Sequence, residues 1–131
     1  MRFEIHTNIP LDFPTTLGHI YTYDNVARLF HSKTFINKIN SNELYGVYGE
    51  TPLDAKGFTI SHIVTGAYIS PTKEIVFEIE PLDNKFGDEL LDDYYNNQLL
   101  AKIVARMDNE IVNGKLKLHD IKYVHAIRYN T

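Results

Sequence analysis

The dipeptide Asn113-Gly114 constrains this chain more than any other feature. Between Val112 and Lys115 it supplies the pair that a two-residue type I′ turn needs, because both central positions must take positive φ. If that turn forms, Ile103 faces Val124 and Ala105 faces Lys122, and a bulge is expected near His119 or Asp120. The last third of the chain is then a long antiparallel hairpin.

The remaining chain supplies partners for it. Arg2 to Ile9 alternates Phe3 and Ile5 against Arg2, Glu4 and His6, a half-buried strand ended by Pro10 and Pro14. His19-Ile20-Tyr21 makes a second short extended piece. Asp24 is placed to cap a helix from Asn25 to Asn40, whose apolar face is Val26, Leu29, Phe30, Ile36 and Ile39, with Ser32 weakening its middle. Leu44 to Tyr48 is extended, Gly49 to Gly57 a loop, and Phe58 to Ile69 a strand. A turn at Ser70-Pro71-Thr72-Lys73 leads into Glu74–Glu80, where Ile75, Phe77 and Ile79 alternate with glutamates, an antiparallel partner for the strand before it. Phe86, Leu90, Leu91 and Tyr94 have helical spacing, with Asp88 and Glu89 at the positive end of the dipole and Asn96-Asn97 at the close.

These elements predict an α+β domain, a mostly antiparallel barrel-like or sandwich-like sheet with two helices. With 131 residues, 44% of them hydrophobic, a single domain over residues 1–131 is expected, within the usual ~100–200 residues per domain. A net charge of −4 with 13 dispersed basic residues offers no basic stripe for nucleic acid. The absence of cysteine removes disulfides, thiolate zinc sites and thiol nucleophiles together. No apolar run approaches the ~20 residues that span a bilayer, and Met1 leads into RFEIHTNI rather than a signal peptide, so a soluble chain unprocessed at its start and without a membrane partner is expected.

Candidate chemistry is sparse. His119 and His125 flank Asp120, but no close histidine pair suggests a metal centre, and neither metal nor cofactor is expected. Ser61 and His62 are adjacent, and adjacent residues on a strand point to opposite faces, so the histidine is not expected to serve the serine as a base. Glu50 with Asp54, and Asp92 with Asp93, are expected to be solvated acids. Neither a phosphate loop nor a nucleophile elbow is present.

In chain order, however, TTLGHIYTYDNVARLF, INSNELYGVYGETP, TISHIVTGAYI, EIVFEIEPLDNKFGDELLDD and KIVARMDNEIVNGKLKLHDIKYVHAI form a series. From Thr15 to Ile127 it resembles the motif order of tailed-phage prohead (head maturation) proteases and related phage head proteins. The resemblance implies a prohead-protease-like fold and, in members that cut, a catalytic histidine and serine. The histidine position falls on Leu53 and the serine position on Val104 or Ala105, none of which can act as base or nucleophile.

What the resemblance then implies is a non-catalytic virion structural protein, an auxiliary or decoration protein of the capsid, made in the host bacterial cytoplasm. Its partners would be the major capsid protein or other phage head proteins, with a homo-oligomer as an option. Tyr45, Tyr48, Tyr68, Tyr94 and Tyr95 are the expected interface residues, and Arg2–Ile9 and the Lys115–Tyr129 arm the expected edge strands. Two alternatives stand beside it: a divergent active prohead serine protease using Ser61, His62 or Ser70, and a small cytoplasmic phage binding or inhibitor module.

Overall fold

The alternation of Ile75, Phe77 and Ile79 builds the centre of the molecule. In the computed structural model, which describes residues 1–108 and 112–129, these three side chains are fully buried on β5 (Glu74–Pro81). Each such burial contributes ~1.5–3 kcal/mol. β5 lies between β4 (His62–Ile69) and β1 (Phe3–Pro10), antiparallel to both. The Ser70–Lys73 turn joins β4 to β5 as the sequence predicts, with Lys73 at φ 61°.

The six-stranded sheet runs β3 (Tyr45–Gly46), β4, β5, β1, β6 (Leu99–Met107), β8 (Leu118–Arg128). It is mixed, because β1 and β6 run parallel. Short β2 (Ile20–Tyr21) and β7 (Lys115–Leu116) form a second, parallel pair. The order closes on itself. Ala126 N–H donates to Val47 O at 3.0 Å and Gly49 N–H to Ala126 O at 2.8 Å, so β8 meets the end of β3 and the sheet becomes a nearly closed barrel. One expected edge is thereby corrected, because β1 is interior to the sheet; the other, β8, does end the strand order and is covered only around Ala126.

The hairpin forms around Asn113 (φ 54°) and Gly114 (φ 77°), with Val112 bridged to Lys115. Ile103 faces Val124 as predicted, but Ala105 faces Ile121 rather than Lys122. The pairing slips twice on β8, leaving Lys122 and His119 as the extra residues. The expected bulge near His119 exists, and a second precedes it in the ladder. The two slips together bring Leu118, Ile121 and Val124 all into the core despite their mixed spacing.

Three helices, not two, pack on the sheet. The predicted Asn25–Asn40 helix is split into α1 (Tyr23–Phe30) and α2 (Lys33–Asn40). Ser32 ends one and starts the other: its hydroxyl donates to Leu29 O at 2.8 Å and accepts from Phe35 N–H at 3.2 Å. A serine side chain that competes for backbone groups costs little at a cap and more in a helix interior. The cap of α1 is Thr22, which accepts from Asn25 N–H at 3.3 Å, while Asp24 sits in the first turn. Helix α3 (Lys85–Asn96) is capped by Asn84, whose side chain accepts from Gly87 N–H at 2.8 Å.

The strand expected over Phe58–Ile69 begins only at His62. Before it, Asp54 draws the chain into a turn, its carboxylate accepting from the N–H groups of Lys56 (3.1 Å) and Phe58 (2.9 Å). Phe58 is left 73% exposed.

Candidate functional site

Residues of three strands converge where the barrel closes. Ser61 stands just before β4 and His62 opens it, both 0% exposed. His62 Nε2 donates to Val124 O on β8 at 2.6 Å, which leaves Nδ1 to accept from the Ser61 hydroxyl at 2.7 Å. Ser61 N–H in turn donates to Gly46 O on β3 at 3.0 Å. The expectation that Ser61 and His62 stay apart is therefore wrong. Strand alternation does not govern them, because Ser61 lies outside the ladder.

A hydroxyl on an imidazole nitrogen is the relation of a nucleophile to its base. Here both imidazole nitrogens are occupied and both side chains are sealed from solvent. Burial pushes the His62 pKa down to about 4; the hydrogen bond to Val124 opposes the shift and neighbouring His125 adds to it. His62 is thus a neutral clamp between β4 and β8. Gly46 completes it, since a Cβ there would lie 1.9 Å from Val124 O and 2.9 Å from His62 Nε2. Only glycine lets the strands approach so closely.

The positions implied by resemblance fall elsewhere. Leu53 is half-buried in the loop between β3 and β4. Val104 and Ala105 lie side by side on β6, where Ala105 packs against the core and Val104 takes the opposite, outward face. Val104 is paired with Tyr123, whose ring packs against Tyr45 (5.6 Å) and His125 (5.9 Å). His125 Nδ1 accepts from Val47 N–H at 3.1 Å, and burial, helped by Lys102, lowers its pKa. The sequence reading missed this outward cluster. Its signal was the hairpin register, which sets Lys102 opposite His125.

The other candidates are accounted for by local bonding. Ser70 shares a hydrogen bond with Thr72 at 2.9 Å and accepts from Glu74 N–H at 3.1 Å within its turn. Tyr48 O–H donates to Asp93, which also accepts from Arg128 (3.0 Å) and Asn97 (3.1 Å). Burial, then the Asp93 bond, pushes the Tyr48 phenol up to about 12, and the same bond holds the Asp93 carboxyl below its usual range. Asp93 is therefore no half of an acid pair with Asp92. His119 pairs with Asp108, and among the described residues no three His, Cys, Asp or Glu side chains converge as a metal site. Of the five tyrosines singled out, Tyr94 stacks on Phe3 at 3.8 Å, while Tyr95 is 65% exposed and Tyr68 offers an exposed ring whose hydroxyl donates to Glu4 at 2.7 Å.

No protein-family model and no curated protein matches this sequence. Among solved structures, the capsid assembly protease gp21 of bacteriophage T4 superposes with a TM-score of 0.66, covering 98% of this chain and 82% of that one at 10% identity. The fold of this chain is similar to that of the phage protease. At that identity the likeness is one of architecture, and it bears out the fold that the motif order implies. Among the described residues, no helix is long and apolar enough to cross a membrane.

Proposed function

We propose that this chain is a non-catalytic component of a phage head, an auxiliary or decoration protein that docks on the capsid lattice. The observation that carries the reading is the state of Ser61 and His62. Although hydrogen-bonded to each other, they are fully buried, and the second imidazole nitrogen is held by a backbone carbonyl. No substrate carbonyl can approach the hydroxyl without opening the barrel. The positions matched to the family's histidine and serine hold Leu53 and Val104 or Ala105, which have no proton-transfer chemistry. A fold relieved of catalysis still presents loops and surfaces for docking, and fold alone does not fix function.

Mass spectrometry of purified virions tests this directly: the intact chain is expected at a copy number that scales with capsomers. Its absence from mature particles would overturn the reading. The divergent-protease reading draws on the same Ser61–His62 contact. It requires that purified protein cleave capsid precursors and that Ser61→Ala abolish the cleavage while the fold is retained. We expect no cleavage by either protein.

A further inference from the structure

The barrel has a second seam, between β1 and β6. These strands meet at one pair, His6 opposite Leu100. Beyond that point β1 turns away. Asn8 takes φ 56° and donates its N–H to the Glu74 carboxylate at 3.1 Å, while the Thr7 hydroxyl donates to Ile75 O at 3.0 Å and accepts from Ile9 N–H at 3.2 Å. The β1 side thus satisfies its own donors at the break.

β6 has no such arrangement. It pairs with β8 along its whole length on one edge, but on the other, among the described residues, no backbone hydrogen bond to another element is found past Leu100. A row of unpaired N–H and C=O groups is a template for another strand. A cavity of about 300 Å³ adjoins this edge, lined from β6 by the alternate residues Ala101, Ile103, Ala105 and Met107 together with Leu100 and Lys102, and from the far side by Thr7, Ile9 and Tyr21. The volume is there because two of the four alternate β6 positions carry only a methyl group. On the outward face of the same strand, Lys102 and Arg106 are exposed and have no ion pair among the described residues. Across the hairpin Arg106 faces Asp120 while Lys102 faces His125, so the positive charge of this face is least balanced at Lys102.

We propose that the open edge of β6 takes an extended peptide segment of a partner protein, added as a further strand. Its apolar side chains, at every second position, enter the cavity, and acidic side chains between them meet Lys102 and Arg106. Main-chain hydrogen bonds supply the affinity and the alternate-residue pocket supplies the selectivity. The inference stands apart from the head-protein reading, because it rests on edge geometry and charge alone.

Amide hydrogen exchange of the full chain, with and without a saturating heptapeptide that alternates leucine and glutamate, tests it. Amides within residues 101–107 should slow by about tenfold or more, while those of β3 and β4 stay unchanged. Ala105→Leu fills the cavity from within; it should keep the wild-type melting temperature or raise it and weaken the peptide by about tenfold or more. Should that variant fail to fold, N-methylation of alternate peptide amides, which removes donors from one peptide edge, reads the same contact from the other side and should abolish binding. Exchanging glutamate for lysine in the peptide should cost about tenfold. The proposal is overturned if protection is absent or falls on other strands, or if Ala105→Leu and the N-methylated peptide bind as well as their parents. It is also overturned if the β6 edge is already protected in free protein as concentration rises, the behaviour of self-association through this edge.

Discussion

The two seams of one barrel are built in opposite ways. Where β3, β4 and β8 meet, a glycine, a serine and a histidine bring backbone onto backbone, and the Ser61 and His62 side chains are hydrogen-bonded there. Where β1 and β6 meet, one bridge is followed by a splayed strand, small side chains and an empty apolar volume. The closed seam spends its polar residues on structure, the Ser61–His62 contact among them. The open seam has the unpaired backbone and space that recognition of a peptide needs.

The contrast is most readily broken at Gly46. Gly46→Ala places a methyl group against the Val124 carbonyl and the buried His62 ring, neither of which has room to yield. A loss of about 4 kcal/mol or more is expected in urea unfolding. A variant as stable as wild type would mean that the closed seam is looser than its geometry.

Next in size is the pH dependence of His62. Its folded pKa, about 4, lies below the ordinary value of 6.5, so the unfolded chain binds the extra proton more readily. The contribution is complete above pH 6.5 and is lost as pH falls toward 4, roughly 3 kcal/mol in all. His62→Ala should cost about 3 kcal/mol at neutral pH through the cavity and the orphaned Val124 carbonyl, and it should flatten the stability profile between pH 4 and 6.5.

Smaller effects sharpen the comparison at the rim. The Tyr48 phenol keeps its proton to about pH 12 in the fold, whereas an unfolded tyrosine loses it near 10. Wild type should therefore lose stability as pH rises through that window, and Tyr48→Phe should remove this dependence at a cost of about 1 kcal/mol near neutrality. At the open seam, Ala105→Leu should change stability least, by under about 1 kcal/mol and toward stabilisation, because it enters existing space. Thermal melts of all four variants side by side would rank the seams.

Much of the fold was legible in local chemistry, and the reasons differ by element. Asn113-Gly114 dictated its hairpin, and the alternation of Ile75, Phe77 and Ile79 dictated a core strand, because turn dihedrals and side-chain faces are properties of a few neighbouring residues. The helix break at Ser32 was half-legible: a serine there was seen to weaken the helix, but only packing against the sheet decided that its hydroxyl would cap a second one. The second slip in the hairpin, at Lys122, had no local signal, because it serves to bring Ile121 into the core.

The sequence by itself determined the strand and turn inventory and the absence of thiol chemistry. Beyond the β4–β5 and β6–β8 hairpins, only the tertiary structure decided which strands became neighbours. That ordering joins Ser61 to His62, buries both beneath Gly46 and Val124, places β1 inside the sheet and leaves the flank of β6 unpaired. Contacts between residues far apart in the chain depend on loop closure and mutual burial, and no short stretch of sequence specifies them on its own.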